Sequence, residues 1–409
     1  MTATTAAFSS LSRENRVSIG FLNWAHAIDH YVMLIFPTVV IGLEAVYGRS
    51  YSELIALSTA SFIAFGVFSL PAGWLADYWS RRNIMAVFFI GCGLSLIAAG
   101  ASPNVYFLAA ALAALGMFAS IYHPVGMAML IEASQARGRV LAFNGVCGNM
   151  GAALAAGITA VIATYFGWRM AFVLPAMLCL ATGAVYLWMV PNDHHRTATR
   201  KSAPDVRLSK RAAVIMFGLF ILIALGAGLA FNVISVALPK LIDERIGHDV
   251  NLMAVGGLAT GVFLVGAVAQ LAMGRLVERT APTILLTLIT ATLLIGVFWT
   301  VYASGMVLMA ALAITMIGLY GQVTVNDVVI ARYTADAWRG RVYAVRYFLV
   351  FISSGAAVAS IAYLHARGGF DLVLLATAGI CFVFFAATVG VAILVSGVDG
   401  RRRAVVPAE

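Results

Sequence analysis

Six ionisable side chains stand well inside long apolar runs of this sequence: His26, Asp29, His30, His123, Asp327 and Arg346. An ionisable group surrounded by apolar sequence is costly to bury, so such residues usually face a cavity and have partners. His26, Asp29, His30 and Met33 follow the spacing i, i+3, i+4 and i+7, which puts all four on one face of a helix. A carboxylate flanked by two imidazoles can hold, share and pass a proton. Asp29 is the carboxylate of the N-terminal half that lies near the middle of its apolar run, and it is read as the main proton-binding residue. The same residue types also ligate metals. His at i and i+4 is a workable pair, and Met33, His123 and Met127 add soft or borderline donors. The 16 methionines are scattered, however, and no His- or Cys-rich terminal segment accompanies them. No metal site is therefore assigned, and transport of a transition-metal ion such as copper stays an alternative. Asp327 and Arg346 are read equally as part of a site or as a structural ion pair.

The elements that position these residues follow from composition. Apolar residues make up 62% of the 409 and charged residues only 11%, against about 25% charged in soluble domains. No soluble core hides that much apolar surface, so lipid is the solvent for most of it. A membrane-crossing helix needs roughly 20 mostly apolar residues. Cutting at charged, Gly or Pro punctuation predicts twelve, near 18–43, 53–75, 83–101, 104–131, 140–165, 169–190, 212–241, 252–274, 282–302, 305–331, 342–366 and 371–395. From a start near Ser18, Asp29 lies about 16 Å along its helix, close to the membrane midplane. His123 and Asp327 fall at comparable depth in the fourth and tenth helices. The four cysteines (Cys92, Cys147, Cys179 and Cys381) sit inside apolar runs and predict no disulfide framework. The N-terminus lacks the pattern of a cleaved secretory signal.

Charge and repetition organise the twelve helices. With the N-terminus in the cytoplasm, 20 Lys/Arg fall on the cytoplasmic side and 5 on the other, with Arg346 within a helix. That bias predicts both termini in the cytoplasm, and the expected location is the inner, cytoplasmic membrane. A net charge of +9 is thereby explained by topology, with no nucleic-acid partner. Arg137-Gly-Arg-Val-Leu-Ala142 matches Arg339-Gly-Arg-Val-Tyr-Ala344, 202 residues later. Gly73-Trp-Leu-Ala-Asp77 matches Gly274-Arg-Leu-Val-Glu278 at 201, and Pro37 matches Pro239 at 202. One shift aligning three landmarks predicts two parallel six-helix bundles related by a pseudo-two-fold axis. Their boundaries are 1–190 and 212–409, with a cytoplasmic linker at 191–211. The shift maps His30 onto Asn232 and His123 onto Val325, beside Asn326.

Gly73-Trp-Leu-Ala-Asp-Tyr-Trp-Ser-Arg-Arg82 follows the second helix, and this segment resembles the signature loop of the major facilitator superfamily. Gly73 permits close helix approach, Asp77 can accept from backbone N–H groups at a helix N-terminus, and Arg81 and Arg82 can close a cytoplasmic lock. These four are the candidate gating residues. The resemblance, together with the repeat and the topology, covers the whole chain. It implies an all-α integral membrane fold of two pseudo-symmetric bundles, in which helices 1, 4, 7 and 10 line a central cavity. His26, Asp29, His30, His123, Asn232, Asn326, Asp327 and Arg346 are then the candidate substrate- and proton-binding residues. Tyr122-His-Pro124, with His26 and Asp29, is similar to fosmidomycin-resistance-type efflux proteins and their bacterial relatives. Those carry His-Pro-Glu where this chain has His123-Pro-Val125, so the resemblance implies export without fixing the substrate. The fifth helix, with Gly145, Gly148, Gly151 and Gly157, lacks the Gly-Pro end of drug–proton antiporters and reads as a helix-packing surface. Asn144, Asn149, Gln270 and Gln322 read as interhelical hydrogen-bonding residues.

No Gly-x-x-x-x-Gly-Lys-Ser/Thr loop is present, which argues against ATP drive, and no cofactor is expected. An intramembrane di-metal enzyme would need many more clustered histidines. The reading is a monomeric, non-enzymatic secondary transporter. It moves a small organic solute by alternating access, coupled to protons.

Overall fold

The computed structural model describes residues 12–133, 137–191, 209–247, 250–334 and 336–405. Most of the linker expected at 191–211 lies outside them. The described residues form α1 (Arg13–Tyr47), α2 (Tyr51–Tyr78), α3 (Arg81–Gly100), α4 (Val105–Ala133), α5 (Val140–Phe166) and α6 (Met170–Met189). They continue through α7 (Arg211–Arg245), α8 (Leu252–Leu276), α9 (Pro282–Tyr302) and α10 (Gly305–Tyr333). A last helical stretch, Arg341–Ser396, leaves helical geometry at Gly368 and Gly369, the latter with φ of 57°. It is therefore two helices, α11 before the break and α12 after it. Eleven stretches among the described residues are apolar and long enough to cross a membrane, and the last, of 56 residues, divides into two helices, in line with the twelve that hydropathy predicts.

Local sequence sets where these helices start. Ser12 accepts from the Asn15 amide at the head of α1, and Ser80 from the Asn83 amide at the head of α3. Ser50 and Glu53 form a reciprocal capping box on α2. Asn104 accepts from the amides of Tyr106 and Phe107 on α4, and Pro282 occupies the first turn of α9. Each device satisfies or removes backbone donors that a helix end otherwise leaves unpaired. Polar caps bracket apolar bodies whose outward faces stay apolar. Trp188, Tyr106 and Met306, for example, are at least three-quarters exposed. Lipid is the solvent such surfaces require.

Packing groups the chain into two units. One contains residues up to Ala198 together with Ser235–Leu264 and Ser354–Tyr363. The other contains Thr199–Ile234, Val265–Ser353 and Leu364–Glu409. This grouping cuts the chain differently from the internal repeat, because parts of α7, α8 and α11 pack with α1–α6. Small residues make that possible. A methyl on Gly256 would lie 2.5 Å from the Ala160 side chain, and one on Gly355 would lie 2.4 Å from Ile63. The Gly157 amide donates to Thr260 Oγ1 (3.1 Å), and Ser354 Oγ donates to the Phe62 carbonyl (3.0 Å). At the ends of α1 and α7, Lys240 Nζ lies 2.8 Å from Glu44 and 3.0 Å from Asp243. Such close small-residue and polar contacts are what hold helices together in lipid.

Candidate functional site

Two proline-induced irregularities shape the site in the first unit. Pro37 has no N–H for the Met33 carbonyl, and α1 breaks at Leu34, whose amide turns back to Tyr31 O at 3.1 Å. His30 thus stands in the last turn before the break. In α4, Pro124 would clash with the Ser120 carbonyl of an ordinary α-turn, and the helix widens to a π-turn over Tyr122–Gly126. Tyr122 and His123 lie in that widened turn. Gly73 of α2 closes on it, since a methyl there would lie 3.3 Å from the Pro124 side chain.

These helices bring His26, Asp29, His30 and His123 together. His123 Nε2 lies 3.3 Å from Asp29 Oδ2, and His30 Nε2 lies 3.2 Å from His26 Nε2. The rings of His26 and His30 both meet His123 edge-on, with centroids 5.3 and 5.8 Å away. One potential ligand atom from each of the three imidazoles lies within 4.8 Å of the others. Asp29 is only 1% exposed, and its Oδ1 has no hydrogen-bond partner among the described residues. On the opposite face of α1 lies an apolar cavity of about 330 Å³, whose walls include Trp24, Ile28, Tyr31 and Leu154. The polar chemistry is thus confined to one side of the helix.

Asn144 of α5 organises this cluster. Its side-chain amide donates to Leu22 O (3.3 Å) and Asn23 Oδ1 (3.0 Å) on α1. Its Oδ1 accepts from Tyr122 Oη (2.9 Å) and from His26 Nδ1 (2.9 Å), which also reaches the Asn144 main-chain carbonyl at 2.8 Å. A carbonyl only accepts, so His26 Nδ1 carries the hydrogen and Nε2 of the neutral ring presents a lone pair towards His30. The ring is held flat between α4 and α5. It stacks on Tyr122 at 4.7 Å, and a methyl on Gly148 would lie 2.5 Å from His26 Nε2. Asn144 and Tyr122 were not among the candidate site residues. The available signal was positional: Asn144 and Arg346 are 202 residues apart, so both repeats place a polar group in the same slot.

The remaining candidates lie in the second unit or beside α2 and α3. Arg346 pairs with Asp327, and Tyr343 Oη donates to the Asp327 main-chain carbonyl (2.9 Å). Arg346 is 9% exposed and stands over the Tyr347 ring at 5.5 Å. Asn232 donates back to Gly228 O of its own helix at 2.8 Å. Asn326 is fully buried, and neither amide atom finds a partner among the described residues. In the loop after α2, Arg81 bridges Asp77 and Glu132. The described partner of Asp77 is thus a guanidinium, where backbone N–H groups had been expected. Arg82 donates to the carbonyls of Leu187 and Val190, closing the C-terminus of α6, where a helix leaves acceptors unpaired.

The sequence profile described as Major Facilitator Superfamily matches residues 20–326, most of the chain. The chain belongs to the major facilitator superfamily. With its helices long and apolar enough to cross a membrane, it is a multi-pass membrane protein. A probable 4-methylmuconolactone transporter of Cupriavidus pinatubonensis is 25% identical over 275 residues, 64% of this chain and 63% of that one. The puromycin resistance protein of Streptomyces alboniger is 33% identical over 114 residues, 27% of this chain and 23% of that protein. The matches to these two relatives therefore span less than two thirds of their length. Two solved superfamily structures share the fold at a TM-score of 0.69. One is a bacterial homologue of the human lysosomal transporter Spinster, inward-facing and unoccupied, with 12% identity over 94% of this chain and 96% of that chain. The other is a D-xylose–proton symporter, with 15% identity over 92% of this chain and 95% of that chain.

Proposed function

We propose that this chain is a proton-coupled transporter of a small organic solute. It works by alternating access of the duplicated halves 1–190 and 212–409, in the cytoplasmic membrane with both termini in the cytoplasm. One observation carries the reading. Asp29 is a buried carboxylate at mid-helix, with one oxygen unpartnered among the described residues and the other facing His123. A carboxylate that is neutral in one orientation and charged in the other supplies the differential energy that coupling needs. His26 and His30 on the same face give the proton a neighbour to be shared with. The names of the relatives, which mention a muconolactone and a D-xylose–proton symport, support an organic solute and protons. The resemblance of the His-Pro motif to efflux proteins favours export. Lys240 with Glu44 and Asp243 supplies an outer closure, and the Asp77–Arg81–Glu132 bridge an inner one.

Solutes that raise the melting temperature of the purified protein are carried into proteoliposomes with an imposed pH gradient. Asp29→Asn is expected to abolish uphill accumulation while downhill exchange continues. Accumulation at the parent rate would refute the assignment and make Asp327 the leading candidate. Asp77→Asn is expected to slow turnover while leaving solute affinity within about twofold of the parent. Equal turnover would reduce Asp77 to a topological feature.

A further inference from the structure

We infer that His26, His30 and His123 form a binding site for one divalent transition-metal ion of borderline character, of which zinc is the representative. Three features of the first unit lead there, and none depends on which solute is carried. The first is spacing. Zinc bonds nitrogen at about 2.0–2.1 Å in tetrahedral sites, which places neighbouring ligand atoms roughly 3.3 Å apart. His26 Nε2 and His30 Nε2 are already 3.2 Å apart, and the third imidazole has a nitrogen within 4.8 Å of both ligand atoms. Closing the remainder takes a movement of at most about 1.5 Å by the His123 nitrogen on metal binding.

The second feature is orientation. Metal-bound histidines almost always donate their other ring N–H to a carbonyl or carboxylate, which fixes the tautomer. His26 does so before any metal arrives, through Nδ1–H to the Asn144 main-chain and side-chain oxygens. Its Nε2 lone pair is left facing His30. Two imidazole Nε2 atoms meeting head-on suit a shared cation as well as a shared hydrogen. The third feature is charge. Asp29, buried beside His123, offers an oxygen without a partner among the described residues. It serves either as a fourth ligand or as the carboxylate that orients His123, and in both roles its negative charge offsets the ion's.

The nearest competing explanation is that the three rings are a hydrogen-bonded packing cluster with no affinity for metal. Cobalt(II) distinguishes the two, because it takes zinc sites and reports its coordination by visible absorption. Purified full-length protein in detergent, stripped by chelator and titrated with Co2+, is expected to bind one equivalent. The intense visible bands of low-coordinate cobalt should appear, and Zn2+ should discharge them. His30→Gln should abolish the bands. Asn144→Ala keeps all three ligands but removes the side-chain acceptor that orients His26, and should weaken affinity roughly ten- to a hundred-fold. Absence of the bands, or bands unchanged in His30→Gln, would overturn the assignment. X-ray absorption on the zinc-loaded parent protein provides a test that needs no variant. Backscattering from two or three imidazoles supports the site, and an oxygen-only shell rejects it.

Discussion

The same two helix slots are filled differently in the two repeats. In the first, α4 and α5 present Tyr122, His123 and Asn144, joined to His26 and Asp29 of α1 by a network around one neutral amide. In the second, α10 and α11 present Asp327 and Arg346, a charged pair that neutralises itself. Asn144 and Arg346 occupy equivalent repeat positions, as do Val125 and Asp327. The duplication has kept where polar groups stand while changing what they are. On the function proposed above, one copy holds the groups that exchange a proton, and the other holds a self-neutralised ion pair. Exchangeable chemistry requires weakly committed partners, and a guanidinium–carboxylate pair is the opposite.

The contrast can be broken most severely at the salt bridge. Asp327→Ala strands Arg346, which is nearly buried, and removing one partner of a buried pair costs about 3–5 kcal/mol. Arg346→Ala leaves a carboxylate whose side chain is 40% exposed, so water takes over part of the lost interaction and the cost is smaller. Thermal melts of the two variants in detergent should rank in that order. Equal losses would show that the pair is not asymmetrically buried. The next effect is at the neutral hub. Asn144→Ala leaves Tyr122 Oη and the Asn23 side chain without a partner, at roughly 1–3 kcal/mol per unsatisfied buried group. A melting temperature within one degree of the parent would mean the amide network is not structural. The smallest effect sharpens the repeat comparison directly. Asn232 stands at the repeat position of His30, but among the described residues its bond is within its own helix, to Gly228 O. Asn232→Ala should change stability by no more than about 0.5 kcal/mol and leave pH-driven accumulation intact. His30→Ala should reduce that accumulation. If the two behave alike, the division of labour between the repeats is wrong.

Much of this was legible in the sequence. Twelve hydropathic runs gave twelve helices, because a bilayer imposes one length and one polarity on whatever crosses it. The i, i+3, i+4 spacing placed His26, Asp29 and His30 on one face because helix periodicity is independent of context. Other features resisted. Pro124 announces a missing N–H, but whether a helix kinks, breaks or widens around it depends on neighbouring helices, here α2 at Gly73. Asn144 is one amide among several in apolar helices, and only tertiary packing reveals that its four hydrogen-bonding sites meet four different groups. Gly148 reads as helix-packing glycine, and it is one, but the partner it admits is the His26 ring. Arg82 reads as a topological charge until the end of α6 is seen to lie within its reach.

The π-turn over Tyr122–Gly126 also acts as a phase setting. One extra residue per turn rotates everything after it by about 100° relative to an uninterrupted helix. Downstream of that turn, Glu132 meets Arg81, and upstream of it α4 packs on α2 through Ser61. A single-residue deletion at Val125 that let the helix revert to regular winding would leave Glu132 facing Arg81, whereas tightening the turn without a deletion would swing Glu132 away by more than a quarter of a turn. The number of residues between His123 and Glu132 is therefore coupled to the width of that turn. In this part of α4, a one-residue deletion should be tolerated better than in a regular stretch of the same helix, where it turns everything downstream by about 100°.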